Sequence, residues 1–417
     1  MASNRKKTVF VGMSGGVDSS VTAWLLKNRD YDVVGVFMRC YNIDGCAERD
    51  AEDARRVAGQ IGIPFYVWDF EQEYKDRVVK YMVDGYRAGV TPNPDVMCNR
   101  EIKFGLFLEK ALEAGADFVA TGHYVRLFKV AKAEPSQKRD VAAAALAPAA
   151  TSCLADVAQI APAPGAESAP QTFALFAADD ASKDQSYFLW TLTQEQLQHC
   201  IFPIGDYKKP EVREIARKAG LATAEKKDSQ GICFLGDVSI ADFLKQYIPE
   251  KRGALVTTAG EAVGEHYGAE FYTIGQRHIN ADFKFPKSGA RERKPFYVAS
   301  KDTTSNTVVL AEGDENDALY RDAVRLTQVN FVGSDFAILN EASANAHAET
   351  QTQAQAQGVP VMARVRYRQP LTPAVLTRSD DGSYALRFEK PQKFVAEGQS
   401  AVFYSKDGEM LGGGVIG

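Results

Sequence analysis

Three short stretches of this chain set reactive groups at spacings that suit chemistry. The first, Gly12-Met13-Ser14-Gly15-Gly16-Val17-Asp18-Ser19-Ser20, runs straight into the apolar-rich segment VTAWLLK. Adjacent glycines let backbone N–H groups approach an anion, a helix starting there adds the positive end of its dipole, and the serines bring hydroxyl donors. A phosphate or pyrophosphate belongs in such a loop. It lacks the Gly-Lys-Ser/Thr ending of a Walker A motif and the GxGxxG of a dinucleotide fold, which disfavours γ-phosphate transfer and hydride transfer. A plain glycine turn capped by serine is the alternative reading. The second stretch, Thr91-Pro92-Asn93-Pro94-Asp95-Val96-Met97-Cys98-Asn99, reads as a proline-fixed loop between helices that aims a carboxylate and a thiol at one place. A thiol near a helix N-terminus tends toward the thiolate that attacks or accepts sulfur. The third is Cys233 in Asp228-Ser229-Gln230-Gly231-Ile232-Cys233, beside the basic pair Lys226 and Lys227. Taken singly, each cysteine reads as readily as a small buried hydrophobe, and only the fold can bring the two together.

The elements that must position these groups follow from hydrophobic periodicity. Thr8–Val11, Val33–Met38, Phe65–Trp68 and Phe118–Thr121 read as strands, alternating with helices at Ser19–Lys27, Arg49–Gln60 and Lys103–Ala114. This βαβ alternation predicts a parallel sheet with its ligand site at the carboxyl ends of the strands, where the glycine loop and Gly122-His123 fall. Residues 131–171 and 341–357 are poor in large apolar side chains and are expected to be a disordered insertion and a flexible tract. Helical stretches near Glu195–Cys200, Pro210–Ala219 and Ile240–Tyr247 suggest a small middle domain. Later alternating runs at Thr307–Leu310, Val361–Tyr367, Ala385–Phe388 and Ser400–Tyr404 suggest a C-terminal β-barrel or sandwich. The predicted division is therefore 1–200, 201–285 and 286–417.

Composition sets the outer bounds. The 417 residues leave room for two or three domains, and 45% hydrophobic with 25% charged residues is ordinary globular usage. There is no apolar run of the roughly 18 residues a membrane helix needs, and Met1–Lys7 is too polar for a signal peptide, so a cytoplasmic protein with no membrane partner is expected. Six cysteines without a CxxC pair argue for reduced thiols and offer no metal site. A net charge of −5 argues weakly against promiscuous nucleic-acid binding. Local patches counter it: Lys284, Lys287, Arg291, Arg293 and Lys294 stand against Glu292 alone, and Arg364, Arg366 and Arg368 would share one face of a strand. Tyr124 or Phe188 is a candidate to stack a displaced base.

SGGVDSS resembles the pyrophosphate loop of the ATP-pyrophosphatase family, which cleaves ATP between the α and β phosphates and adenylates a substrate oxygen. More sharply, GMSGGVDSS, TPNPDVMCN, TGHY, KDQSYFL, SQGICF, YTIGQR, RVRYRQP and GQSAVFY stand in the order found in the tRNA-specific 2-thiouridylase family. The resemblance implies an adenine nucleotide alpha hydrolase-like α/β domain, a small central mixed domain and a C-terminal β-barrel. It implies that Gly12, Met13, Ser14, Gly15, Gly16, Val17, Asp18 and Ser19 hold ATP with its Mg²⁺, and that Met38 and Gly122 complete the adenosine pocket. Asn93, Pro94 and Asp95 would face the target uridine, with Asp95 a candidate acid or base. Cys98 would be the catalytic nucleophile and Cys233 the carrier of a persulfide taken from a sulfur donor, the two forming a disulfide once sulfur is delivered. Lys183, Asp184, Gln185, Arg366, Tyr367, His123 and Gln399 would contact tRNA. The residues alone leave two other readings open: a ligase that uses ammonia or an amino group, though nothing resembles a glutaminase segment, and an RNA-binding protein with a degenerate nucleotide site.

Overall fold

A computed structural model describes residues 5–41, 45–130, 172–228, 238–284, 294–333, 358–379 and 381–417. The expected insertion at 131–171, the tract at 341–357, Cys233, and Lys287, Arg291 and Arg293 of the basic run lie outside the described residues. Among the described residues no helix is long and apolar enough to cross a membrane.

The first part of the chain alternates as its periodicity predicts. Strands β1 (Thr8–Gly12), β2 (Asp32–Arg39), β3 (Phe65–Asp69) and β4 (Phe118–Thr121) are joined by α1 (Val17–Lys27), α2 (Cys46–Ile61) and a helical region between β3 and β4. That region runs through α3 (Glu71–Tyr74), a π-helical stretch Lys75–Val79 and α4 (Lys80–Arg87). After a short loop come α5 (Pro94–Cys98), a second π-helical stretch Asn99–Leu106 and α6 (Phe107–Glu113). The expected loop holding Asp95 and Cys98 is therefore a helix from Pro94 onward. Pro94 is tolerated because it stands in the first turn, where its missing N–H has no helical partner to lose.

All the pairings of this sheet are parallel, in the order β3-β2-β1-β4-β7, with β7 spanning Cys200–Ile201. The expected helix near Glu195–Cys200 is confined to α7 (Gln194–Leu197), and Cys200 belongs to the edge strand. The order in which strands are added reverses between β1 and β4, which opens a crevice at their carboxyl ends. The loop after β1 and Gly122 after β4 both border it. Val9, Val11, Val33 and Val36 are fully buried in this sheet, and α1 is buried along most of its length, with α8 (Lys209–Lys218) packed on it.

A second sheet has the order β10-β9-β8-β12-β11 and mixes one parallel pair with antiparallel ones. Its strands are β8 (Gly253–Thr257), β9 (Ala262–His266), β10 (Asp282–Phe283), β11 (Phe296–Asp302) and β12 (Thr307–Glu312), preceded by the short helix α9 (Ile240–Leu244). Thr307–Leu310 thus joins this sheet and not the barrel. Strand periodicity marks an extended segment but not the sheet it enters.

The barrel is closed by six strands: β13 (Tyr320–Phe331), β16 (Tyr384–Lys393), β15 (Thr372–Arg378), β14 (Val359–Arg364), β17 (Ser400–Tyr404) and β18 (Glu409–Ile416), with β18 pairing back to β13. Val361, Ala363, Leu376, Leu386, Ala401 and Phe403 are among the residues filling its interior. A hairpin from the first part of the chain, β5 (Val125–Val130) and β6 (Thr172–Ala177), adds to the barrel by pairing β6 with the start of β18.

Candidate active site

The loop after β1 is shaped by one residue that only glycine can fill. Gly15 has φ +75°, and a Cβ there would lie 2.3 Å from the carbonyl oxygen of Asp50. Helix α1 starts at Gly16 with no side-chain cap, which leaves its first N–H groups for a ligand or solvent. The serines are already arranged: the Ser14 N–H donates to Ser19 Oγ at 3.1 Å, Ser14 and Ser19 hydroxyls lie 3.2 Å apart, and Ser20 donates to the Gly16 carbonyl at 2.7 Å. Met38 closes one flank, its Cε 3.0 Å from where a Cβ on Gly12 would sit. Gly122 closes another, since its missing Cβ would meet the Ser19 nitrogen at 2.8 Å. The structure therefore brings Gly12, Ser14, Gly15, Gly16, Ser19, Met38 and Gly122 together at the carboxyl end of β1, while Met13 and Val17 turn into the core.

Asp18 does not stand open to solvent. Its carboxylate accepts from the Tyr124 hydroxyl at 2.8 Å and from the Lys209 ammonium at 2.8 Å on both oxygens. Burial and the Asp18 charge push the Tyr124 phenol up, which keeps it a donor. Tyr124 is 2% exposed, so it does not serve to stack a base. Lys209 also reaches Asp228 at 2.8 Å, where Lys183 at 2.7 Å and Arg213 at 2.8 Å converge. Burial works against the Asp228 carboxylate, but Lys183 and Lys209 outweigh it and hold its pKa at about 2. Two further ties secure the same segment: Lys226 pairs with Asp50 and Asp53 on α2, and Thr223 donates to Ser20 at 2.9 Å. Cys233 follows shortly after Asp228 in sequence. Lys209 escaped the sequence reading although it carried a signal. A lysine in a helix's first turn opposes the macrodipole and calls for a carboxylate partner.

Asp95 and Cys98 lie one helical turn apart, hence on one face of α5. Asn93 caps this helix, its side-chain oxygen accepting from the Val96 N–H at 3.3 Å. Burial raises the Asp95 carboxyl above the ordinary carboxylate range, with the Lys103 charge opposing it in part. Cys98 is buried in the same apolar cluster as Phe104 and Phe107. The barrel holds the approach to this helix: the Gln399 side-chain amide donates to the Thr91 and Pro92 carbonyls at 2.9 and 3.1 Å, and the Thr91 N–H donates to the Glu397 carbonyl at 2.7 Å.

The remaining expected contact residues fall into two groups. His123 is 6% exposed, bonded to Thr121 Oγ1 through Nδ1 at 2.7 Å and set between the Phe104 and Phe202 rings. Burial, with Lys103 adding to it, lowers its pKa well below the usual histidine value, so it is neutral. Asp184 is 4% exposed and bonded to Arg364, Ser186 and the Ala178 N–H. Gln185 is turned inward, its side-chain oxygen accepting from the Tyr124 N–H at 3.0 Å. Arg366 and Tyr367, by contrast, are partly exposed, and the Phe188 and Tyr367 rings meet with centroids 4.4 Å apart. The expected strand face of Arg364, Arg366 and Arg368 does not exist. β14 ends at Arg364, which is buried, and the chain turns there with Gln369 accepting from the Val365 N–H and Arg368 in the left-handed region at φ 64°.

Comparison with known proteins matches this arrangement to one family from end to end. Residues 7–237 match the model described as a tRNA methyl transferase HUP domain, residues 241–312 its PRC-barrel domain, and residues 339–416 an aminomethyltransferase beta-barrel domain. The chain is 41% identical to the tRNA-specific 2-thiouridylase MnmA of Streptococcus mutans over 100% of this chain and 96% of that one. It is 40% identical to the protein of the same name from Enterococcus faecalis, with the same coverage. The Listeria monocytogenes protein of that name is also 40% identical, over 98% of this chain and 94% of its own. The chain belongs to the tRNA-specific 2-thiouridylase family.

Proposed function

We propose that this protein is a tRNA-specific 2-thiouridylase that adenylates O2 of the wobble uridine with ATP and then replaces that oxygen with sulfur. The observation that carries the reading is identity of about 40% to proteins of this name across their whole length, in a chain that keeps the phosphate loop and the Asp95–Cys98 turn. The matched domain is described as a methyl transferase, but the full-length relatives are named as thiouridylases, and a helix bearing a carboxyl and a thiol in the same chain as an anion loop suits sulfur transfer.

In the first step the uridine O2 attacks the α-phosphorus of ATP and pyrophosphate departs. Gly12 through Ser19 supply backbone and hydroxyl donors to the phosphates, while Met38 and Gly122 bound the adenosine. Mg²⁺ arriving with the ATP would neutralise charge on the phosphates held by the Gly12–Ser19 loop. Asp95, its pKa raised by burial, is suited to exchange a proton at the base. In the second step the terminal sulfur of a persulfide on Cys233 bonds to C2 and AMP leaves. Attack of the Cys98 thiolate on Cys233 then completes release of the sulfur and leaves a disulfide, which a cellular thiol reduces. The persulfide comes from a separate donor protein, and the reaction belongs in the cytoplasm with its tRNA. Among the expected contacts the part-exposed Arg366, Tyr367 and Lys183 meet tRNA directly, while Asp184, Gln185, His123 and Gln399 act from within.

The test is incubation of the protein with unmodified tRNA, Mg-ATP and a persulfide donor, followed by nucleoside mass spectrometry. Wild type is expected to form 2-thiouridine and AMP, and Cys98→Ser and Cys233→Ser to form none of the thionucleoside. ATP–pyrophosphate exchange driven by a small amine, without tRNA and with either cysteine replaced, would show the chain to be a ligase instead.

A further inference from the structure

We propose that Arg364, a barrel residue, is a positioning residue for this chemistry. Through Asp184 it clasps residues 183–188, so that the nucleotide loop and the Cys98 helix keep one common geometry. The inference rests on the sulfur-transfer reading above.

The clasp is dry. The side chains of Arg364 and Asp184 are 7% and 3% exposed, and a charge buried to that degree is tolerated only when paired and hydrogen-bonded. Asp184 meets that condition fully. One oxygen accepts the N–H groups of Ala178 and Ser186 at 3.1 Å each, and the other accepts the Ser186 hydroxyl at 3.0 Å and the Arg364 guanidinium. Arg364 in turn lies 4.9 Å from the centre of the Tyr404 ring, whose hydroxyl is 2.9 Å from Ser186 Oγ. Two barrel strands, β14 and β17, thus grip a segment that belongs to the first part of the chain.

From that grip the neighbouring residues reach to both halves of the site. Lys183 holds Asp228 at 2.7 Å, within the ion-pair network that includes Asp18 of the nucleotide loop. Gln185 exchanges two hydrogen bonds with the Tyr124 backbone, and the hydroxyl of Tyr124 rests on Asp18. At the other end the Phe188 carbonyl accepts from the Asn99 side chain at 3.3 Å, one residue beyond Cys98, and Tyr187 donates to the Ser400 carbonyl at 2.8 Å. Arg364 touches neither the loop nor the thiol. It fixes a segment linked to both, through Tyr124 and Asp228 to Asp18 and through Asn99 to the residue before it, Cys98, and a displacement of about 1 Å between reacting groups costs a rate on the order of 10²-fold.

The experiment compares Arg364→Lys and Asp184→Asn, singly and together, with wild type. The lysine keeps a positive charge but loses the planar fork that serves the carboxylate and the Tyr404 ring at once. Expected is a fall of about tenfold or more in kcat for AMP and 2-thiouridine formation. The Kd for tRNA, by filter binding, should stay within about twofold, and the double variant should lose no more than the worse single one. Unchanged rates, or a loss confined to tRNA affinity, would overturn the proposal, the latter because it marks a surface contact. Hydrogen exchange on wild type gives a second arm that needs no variant to fold. Amides of residues 184–188 should be as protected as those of β14 and β17, and exchange of this segment while the barrel stays protected would refute the clasp. Failure of wild type to make 2-thiouridine would count against the functional reading and leave the exchange arm to decide the clasp.

Discussion

His123 shows how burial turns a titratable residue into a neutral structural one. Its folded pKa lies well below the ordinary value because burial excludes the imidazolium and Lys103 repels it. The unfolded chain therefore binds a proton below about pH 6.5 that the folded protein refuses, so stability falls as pH drops from there. In His123→Gln the loss of urea midpoint between about pH 7.5 and pH 5.5 should be smaller than in wild type. An equal loss in both would mean that other groups govern the acid limb. In the sequence this residue reads as a ligand or RNA contact, because polar character is local whereas its partners Phe104 and Phe202 come from distant elements. The shape of the glycine-serine turn after β1 was legible for the opposite reason. Gly15, Gly16 and the serines act through backbone and neighbours within a few residues, and that is information a linear chain displays. Asp184 and Arg364 take their meaning from charges far away in sequence, and nothing local announces their pairing; Lys209 shows by its place in a first turn that it needs a carboxylate, but not which one.

Helix α5 carries Asp95 and Cys98 and begins one residue before Asp95. Asn93 caps it and Pro94 opens it, so one side chain both satisfies an orphan N–H and sets where the Asp95–Cys98 face starts. Asn93→Ala is expected to cost about 1 kcal/mol of stability, read as a lower urea midpoint, with thiolation falling by more than the stability change explains. A drop in stability with normal thiolation would reduce Asn93 to a plain cap. The π-helical stretch that follows Cys98 is a widened turn of the kind that clusters at functional sites. Periodicity of 3.6 does not reveal such a turn, and the prolines on either side of Asn93 made the whole segment read as loop. The helical region ahead of it buries Tyr74, Val78, Met82 and Tyr86, which recur every four residues, a periodicity the sequence reading passed over. The alternating arginines after Met362 were misleading, because alternation holds only while the strand lasts and the chain turns at Val365.

The whole molecule is knit by strands that serve more than one neighbour. β18 pairs with β17 along one edge and is shared between β6 and β13 along the other, so it both closes the barrel and fastens it to the nucleotide-binding part. Truncation before Glu409 is expected to open the barrel and to detach the β5–β6 hairpin as well, seen as protease cleavage in both regions and loss of 2-thiouridine formation. Cleavage limited to the barrel would mean that the hairpin stands by itself. The three-part plan was readable from the change in periodicity along the chain, but the entry of Thr307–Leu310 into the central sheet was not, because partner choice is a property of three-dimensional neighbours. The hairpin carries one more implication. Val130 and Thr172 are register partners, so the ends of the two strands stand one strand spacing apart. Lengthening a connection between two such ends adds only about 0.6 kcal/mol of closure cost per doubling. That makes the position a port: a fluorescent reporter with adjacent termini, spliced in there, would follow barrel docking in a working enzyme without disturbing either cysteine or the nucleotide loop.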